Sequence, residues 1–224
     1  MNSKTADLQK GMVIVEQCSC GGDRNFGYIL ADGPGGSACV IDPSPDPTAV
    51  IEHLAREHYS LKGIVCTHNH PDHTGGIDLL GSLYKVPVIG HLSNSRADLF
   101  VSDGEEFLLG DRRLRFFHTP GHSADSICIL FHGHLFSGDT LFVGKVGGTA
   151  NPETALAQFD SLQRLMDLDD AVMVWPGHDY GMSSHSTIGE ERRNNPFILR
   201  LGDFSEFLRL KANWQSYQRE HGIN

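Results

Sequence analysis

One short polar segment after an apolar run concentrates four potential metal ligands. The sequence GIVCTHNHPDHTGG leaves a predicted strand, turns, and heads towards a helix, and it carries His68, His70, Asp72 and His73. On an extended chain, side chains two residues apart point to the same side, so His68 and His70 can face one centre. The turn at Pro71 lets Asp72 and His73 face a second centre. Imidazole and carboxylate ligands suit zinc, and less selectively iron or manganese.

Three later segments share one form, in which an apolar strand is followed by glycine and then by a potential ligand. They are FFHTPGHS with His122, LFSGDTLF with Asp139, and VMVWPGHDYG with His178. A metal centre needs ligands presented from rigid strand ends, because loops alone would not hold its geometry. The four segments together predict a metal centre built from seven side chains.

These ligands must be positioned by many short strands and a few helices. The apolar runs that predict strands lie at 12–15, 28–30, 38–41, 63–66, 87–90, 106–109, 114–117, 126–131 and 171–175. Helical periodicity appears over 47–58, 152–166 and about 202–214. The strands come in runs of two or three that are broken by single helices. This order favours sheets packed on each other with outer helices over one doubly wound parallel sheet.

Length and composition limit the remaining possibilities. A chain of 224 residues suits one domain, which we expect to span 1–224, with a core at about 12–198 and a C-terminal helical tail at 199–224. No apolar run approaches the roughly 18–20 residues of a membrane span, and the N-terminus has no secretory signal, so we expect a cytoplasmic protein without a membrane partner. The net charge of −10 argues against a nucleic-acid partner.

The other cysteines and histidines are expected to be structural. The five cysteines are odd in number and form no C-x-x-C pair, which predicts small apolar strand residues without disulfides. His132 and His134 flank a glycine between two apolar runs, where a hairpin turn is expected. We expect His118 to have a structural role. Three histidines are expected to be solvated: His53, His58 and His221.

The series THNHPDH, TPGHS, GDTLF and PGHDYG resembles the metallo-β-lactamase superfamily, and within it glyoxalase II, the hydroxyacylglutathione hydrolases. The resemblance spans roughly residues 12–198. It implies an α+β fold, an αββα sandwich in which two mixed sheets pack face to face with outer helices, and a site at one edge. It implies one metal on His68, His70 and His122, a second on Asp72, His73 and His178, and Asp139 as the bridge between them.

The resemblance also implies a reaction. Two divalent metal ions, zinc foremost, would share a hydroxide that attacks the carbonyl carbon of a glutathione-type thioester. Asp72 would be catalytic as well as a ligand, because it can orient the hydroxide. The implied partner is therefore a small-molecule thioester.

Substrate contacts are implied at Lys145 and Tyr180, which occupy positions similar to two glutathione contacts of glyoxalase II. Longer members of that family add a C-terminal helical extension whose basic residues grip glutathione. This sequence stops at Asn224, so we expect that grip to be missing or replaced, and Arg192 or Arg193 could contribute.

Two other activities of the same fold stay open. A glutathione persulfide dioxygenase has the same ligand set and uses a single iron, but its members typically carry Ala after the Gly-Asp pair and an Arg-rich loop, where this sequence has GDTLFVGKVGGT. A lactonase would use the same metals on a lactone carbonyl. If the fold served only as a non-enzymatic binding module, we would expect some ligand residues to be replaced by residues that cannot bind a metal. All seven are present. The oxygen-reducing di-iron branch normally has a carboxylate where this sequence has His70.

Overall fold

Fourteen short strands and seven α-helices make up residues 13–222, the part of the chain that this computed structural model describes. The first sheet contains, in spatial order, β1 (Ile14–Ser19), β2 (Phe26–Ala31), β3 (Ser37–Ile41), β4 (Ser60–Val65), β5 (Val88–His91) and β6 (Leu99–Val101). The pairs β1/β2 and β2/β3 are antiparallel, whereas β3 to β6 are parallel, so the sheet is mixed.

The second sheet is also mixed. Its members are β7 (Glu106–Leu109), β8 (Arg112–His118), β9 (Ile127–Phe131), β10 (His134–Gly138), β13 (Met173–Pro176) and β14 (Ser186–Thr187). Only β10 and β13 pair in parallel. A small separate ribbon is formed by β11 (Leu141–Phe142) and β12 (Lys145–Val146).

The helices lie on the outer faces and at the strand connections. They are α1 (Thr48–Arg56), α2 (Pro71–Thr74), α3 (Ile77–Tyr84), α4 (Pro152–Leu165), α5 (Ile188–Asn194), α6 (Phe204–Ala212) and α7 (Trp214–His221), with a 3₁₀ turn at Ile198–Arg200. Helix α4 begins where its sequence dictates. The Asn151 side chain accepts a hydrogen bond from the amide of Thr154, the Thr154 hydroxyl accepts one from the amide of Asn151, and Pro152 fills the first helical position.

Side-chain alternation along the strands builds three apolar layers. On β3, Ala38 and Val40 point outwards towards α1 and α3, whereas Cys39 and Ile41 point into the space between the two sheets. A third layer lies between the second sheet and the helices α4 and α6, which contribute Phe159 and Phe207. These layers are those of an αββα sandwich, and the predicted fold class is confirmed.

Each of the nine predicted strand regions overlaps an observed strand, although Met12 of the first region lies outside the described residues. The three predicted helices overlap α1, α4 and α6. The last predicted helix is interrupted at Asn213, where α6 ends and α7 begins. The edge strand β6 and the short strands β11, β12 and β14 have too few residues to give a periodic signal. The expectation that the N-terminus has no secretory signal concerns mainly residues 1–12, which lie outside the described part.

The structural histidines fall mostly where expected. His132 and Gly133 have positive φ angles of 48° and 80°, which suit the two central positions of a type I′ hairpin turn between β9 and β10. His118 stacks on His91 with ring centroids 3.9 Å apart. The prediction for His53 was wrong, because its side chain is only 17% exposed and lies against Tyr59.

All five cysteines are free and buried in the three apolar layers. Burial raises the pKa of the Cys20 thiol to about 12, so it stays protonated and behaves as a small apolar side chain. Across residues 13–222, no helix combines the length and apolar character that crossing a membrane requires.

Candidate metal centre

The site lies where strand ends from both sheets meet. Strands β8, β10 and β13 run in the same direction, so their carboxyl ends share one edge, and His122, Asp139 and His178 follow these three ends. The loop after β4 joins them from the first sheet, since the amide of Ile127 donates to the Thr67 carbonyl at 2.8 Å. The structure thereby brings all seven predicted side chains together.

Three histidines form the first cluster. His70 Nδ1 lies 3.0 Å from His68 Nε2 and 3.0 Å from His122 Nε2. His68 is fully buried, whereas His70 is exposed at the rim. The cluster is therefore open to solvent on one side.

The second cluster contains two histidines and a carboxylate. The Nε2 atoms of His73 and His178 are 3.2 Å apart. Asp72 Oδ2 lies 3.4 Å from His178 Nε2 and 3.6 Å from His73 Nε2.

Asp139 stands between the two clusters. Its Oδ2 is 3.5 Å from His122 Nε2 and 3.4 Å from His178 Nε2, while Oδ1 is 3.4 Å from His73 Nε2. The carboxylate is buried, and Oδ1 has no hydrogen-bond partner among the described residues. An unpartnered buried carboxylate oxygen is costly unless a cation is bound to it.

The glycine before His178 is required by this crowding. A Cβ on Gly177 would collide with the Asp139 carboxylate and would lie 2.9 Å from the His73 ring. A glycine thus lets the backbone between β13 and His178 pass directly beside two ligands.

The ligand atoms are spaced as a metal site requires. Ligand bonds of about 2.0–2.1 Å in tetrahedral geometry put neighbouring ligand atoms about 3.3–3.4 Å apart. The distances in both clusters, from 3.0 to 3.6 Å, surround that value. The histidine and aspartate side chains can therefore hold metal ions.

The hydrogen bonds behind the ligands fix their tautomers. His73 Nδ1 donates to Asp42 Oδ2 at 2.9 Å, and the Thr67 hydroxyl donates to the same oxygen at 2.6 Å. Since that hydroxyl is committed as a donor, it accepts from His68 Nδ1 at 3.0 Å. One carboxylate, Asp42, thus directs an Nε2 lone pair from each cluster into the site.

Backbone carbonyls hold the rings of His122 and His178. His122 Nδ1 donates to the Gly148 carbonyl and His178 Nδ1 to the Asp23 carbonyl, each at 2.9 Å. Asn25 Nδ2 donates to Asp72 Oδ2 at 3.1 Å. The β1–β2 loop therefore orients two members of the second cluster.

The ligand side chains differ in their protonation. Burial lowers the pKa of His68 and of His122, which keeps these rings in the neutral form that binds metals. Burial opposes protonation of His73, but Asp42 outweighs it and raises the pKa of this ring to about 9. Burial likewise opposes ionisation of Asp139, yet the hydrogen bond from His178 and the nearby histidines hold its pKa below the usual range.

A cavity of about 580 Å³ opens beside His122 and Asp139. Its walls include Lys145, Tyr180 and Lys211. The Tyr180 ring stacks on His178 at a centroid distance of 4.6 Å, and Lys145 Nζ lies 3.9 Å from the Tyr180 centroid. Lys145 and Tyr180 are therefore adjacent to each other and to the second cluster.

Several residues of the site had not been predicted. Arg24 places its guanidinium 5.0 Å from the Tyr180 centroid. Burial and the charge of Arg24 both lower the pKa of Lys145. Asp42 directly follows β3, so a carboxylate placed immediately after an apolar strand is the signal that could have identified it. Nothing in the local sequence around Arg24 or Lys211 indicates the site.

The suggestion that Arg192 or Arg193 could contribute to the site was wrong. Both guanidinium groups pair with Asp170, and Arg192 also donates to the Met166 and Leu168 carbonyls beyond the end of α4. Neither side chain lines the cavity, because these contacts hold Arg192 just beyond the C-terminal end of α4, whereas the cavity lies at its N-terminal end.

The sequence matches a known protein superfamily and several of its members. The sequence profile of the metallo-beta-lactamase superfamily matches residues 21–178. Hydroxyacylglutathione hydrolase from Chromohalobacter salexigens is 34% identical over 211 residues, which cover 78% of this chain and 82% of that protein. The hydroxyacylglutathione hydrolase of Francisella tularensis subsp. novicida is 35% identical over 167 residues, covering 72% of this chain and 65% of that protein.

The fold has close structural relatives as well. The crystal structure of ETHE1 from Myxococcus xanthus matches with a TM-score of 0.82 and 30% identity, over 90% of this chain and 91% of that chain. Profile, sequence and structure agree with a cluster of histidines and aspartates at the joined strand ends. The chain is a glyoxalase II-like metallo-hydrolase that belongs to the metallo-beta-lactamase superfamily.

Proposed function

We propose that the protein hydrolyses the thioester of a glutathione-type thiol with two divalent metal ions, zinc foremost. The observation that carries this proposal is the position of Asp139 Oδ2, 3.5 Å from a nitrogen of one cluster and 3.4 Å from a nitrogen of the other. A single carboxylate that faces two complete clusters suits a pair of metals better than one. In this proposal His68, His70 and His122 would hold one metal, Asp72, His73 and His178 would hold the other, and Asp139 would serve both as the bridge.

Bound cations would supply a water of lowered pKa and a Lewis acid for a carbonyl oxygen. The chain's own part is to hold the reacting groups. Asp72 Oδ2 faces the second cluster while the side chain is 43% exposed, so the carboxylate can orient an attacking water and accept its proton. The hydrogen bond from Asn25 and the charge of His73 outweigh burial and lower the pKa of Asp72, which keeps it ionised for that task.

Lys145 and Tyr180 would bind the thiol half of the substrate. Lys145 is a half-buried cation that lies over an aromatic ring, and no carboxylate of residues 13–222 is within ion-pair distance of it. Arg24 adds a second positive charge over the same ring. An anionic group of a small thiol, such as a peptide carboxylate, would satisfy both charges, and the cavity beside them is large enough for a tripeptide thioester.

A second candidate is a persulfide dioxygenase with a single iron. Asp139 lies near His122 and also near His68, and two histidines with one carboxylate around an open position suit oxygen activation by iron. The likeness to ETHE1 is a further reason to test it. We prefer the hydrolase because the second cluster is complete and is supported by Asp42, Asp23 and Asn25.

The deciding experiment measures metal content and two reactions. Protein expressed without added metal is analysed for zinc, iron and manganese, then stripped and reloaded with zinc or with iron. Each form is assayed for cleavage of an S-acylglutathione and for oxygen uptake with glutathione persulfide. We expect thioester cleavage with two metals per chain. Oxygen-dependent turnover by the iron form alone, without thioester cleavage, would overturn the hydrolase and support the dioxygenase.

We propose in addition that residues 1–224 form one domain, with a core at about 12–198 and a helical tail at 199–224. The protein would act in the cytoplasm on a small molecule, without a nucleic-acid or membrane partner. Limited proteolysis, cell fractionation and a nucleic-acid shift assay test these three expectations. A stable fragment that lacks the tail and keeps full activity would contradict the one-domain arrangement.

A further inference from the structure

Helix α6, the first helix of the C-terminal tail, reaches the loop that follows β12. Lys211 Nζ donates to the Gly147 carbonyl at 2.8 Å and to Gln158 Oε1 at 2.6 Å. Gln158 Nε2, on α4, donates to the same Gly147 carbonyl at 3.1 Å. Two side chains from two helices thus hold one backbone oxygen.

The Gly147 carbonyl is adjacent in the chain to the carbonyl that orients the metal ligand His122. The Gly148 carbonyl accepts the hydrogen bond of His122 Nδ1. Gly147 itself packs against the centre, since a Cβ on it would collide with the Asp139 backbone oxygen and would lie 3.1 Å from His122 Nδ1. The loop therefore cannot shift without moving the group that orients His122.

A purely apolar role does not account for Lys211. Its ammonium group lies between the rings of Phe197 and Phe207, at 5.7 Å and 5.5 Å from their centroids. Burial lowers its pKa to about 8, and no carboxylate in the described part of the chain forms an ion pair with it. A methionine or leucine would fill this place without the cost of burying a charge.

We propose that Lys211 is a positioning residue, which fixes the Gly147–Gly148 loop and thereby the orientation of His122. The inference rests on the metal role of His122 in the proposed function. Through Lys211, the helical tail would support the metal centre. Only the first cluster, which contains His122, would be affected. The rings of His73 and His178 are held by Asp42 and by the Asp23 carbonyl, which Lys211 does not touch.

The test compares Lys211→Met with two matched variants of the full chain. Arg209→Met removes a positive charge from the same helix at an exposed ion pair with Glu206, away from the loop. Lys211→Arg keeps the charge and the donors. Zinc affinities of both sites are measured by competition with a chelator. The ring N–H signal of His122 is followed by ¹H–¹⁵N NMR in the metal-free protein, where it reports the hydrogen bond to Gly148 whatever reaction the enzyme performs.

In Lys211→Met we expect a loss of roughly tenfold in zinc affinity at one site only, with a shifted or exchanging His122 signal. Arg209→Met should leave both readouts unchanged, and Lys211→Arg should recover most of the loss. An unmoved His122 signal with unchanged affinities would overturn the proposal, and so would an equal loss at both sites with a lowered melting temperature. A wild-type protein that binds zinc but cleaves no thioester would refute the proposed function while this readout still decided the role of Lys211.

Discussion

At the residue scale, the centre depends on which nitrogen of each histidine carries a proton. Four rings use Nδ1 to donate to Asp42, Thr67, Gly148 or Asp23, so Nε2 is the ring nitrogen that is directed inwards. Because these nitrogens face one another at short range, a shared cation would stabilise the arrangement. His70 is the exception, because it turns Nδ1 inwards and is exposed.

The carboxylate between the clusters gives the first prediction. Asp139→Asn should abolish most thioester cleavage and reduce the bound metal from two ions per chain towards one, because the amide supplies no negative charge to either cation. Folding should be retained, since the amide has nearly the same volume. Metal analysis, turnover and thermal melting check this.

Asp111→Asn is the matched control for that substitution, because Asp111 is exposed in the turn between β7 and β8. A variant Asp139→Asn that keeps two metals and normal turnover would contradict the bridging role.

The second prediction concerns substrate binding. Lys145→Ala should raise KM by roughly tenfold and leave kcat within a few-fold, because a remote ion pair is made equally in the ground state and in the transition state. Added salt should raise KM for the wild type and have less effect on the variant. Lys62→Ala removes an exposed lysine on β4 and should change neither constant. A fall in kcat with unchanged KM would assign Lys145 to the chemical step instead.

At the element scale, strand ends carry the ligands and the neighbouring loops orient them. Asp42 follows β3 and serves both clusters, through His73 directly and through Thr67 to His68. It has a positive φ of 47°, a conformation that asparagine also adopts with little cost. An Asp42→Asn variant therefore changes the hydrogen bonds without straining the backbone.

The third prediction follows from this geometry. Asp42→Asn should weaken metal binding at both sites by roughly 10–100-fold. The reason is that an amide NH₂ replaces one of the two carboxylate oxygens, and this NH₂ donor then faces the donors of Thr67 or His73. Competition with a chelator measures both affinities. Asp46→Asn, an exposed change in the loop before α1, is the control. A loss confined to the site of His73 would mean that the hydrogen bond from Thr67 does not help to orient His68.

At the scale of the whole molecule, the helices α4 and α6 close one side of the centre and join it to the C-terminal segment. Phe159, Phe207 and Leu210 share one apolar layer, and Lys211 emerges from it towards the cavity. Any change that loosens this layer is therefore expected to reach the cavity wall.

The fourth prediction is a pH dependence of stability. The pKa of Lys211 is about 8 in the folded chain and near 10.5 when unfolded, so between these values the unfolded state binds more protons and folding becomes more favourable as the pH rises. The metal-free wild type should gain up to about 3 kcal/mol of unfolding free energy relative to Lys211→Met between about pH 8 and 10.5.

Denaturant unfolding with a chelator present measures this difference at each pH. The comparison of the wild type with Arg209→Met should show no such slope, because Arg209 is an exposed ion-paired residue. A constant difference between the wild type and Lys211→Met across this range would show that the ammonium is not destabilised by burial.

Much of the protein could be read from local sequence. Strand regions and the outer helices follow from side-chain periodicity, and the seven candidate ligands follow from residue types placed directly after apolar runs. Such features are local, because a strand and the residue that follows it lie within about ten positions of each other. The family resemblance depends on the same local segments.

Only the tertiary structure decided what surrounds the ligands. Asp42 and Thr67 are 25 residues apart, Lys211 and Gly147 are 64 apart, and Asp23 and His178 are 155 apart. No periodicity links such pairs, since their contacts exist only after two sheets and two helices have packed. The same packing turned Arg192 and Arg193 away from the cavity and brought Arg24 to Tyr180. Ligand type is a property of the local chain, whereas ligand orientation is a property of the packed fold.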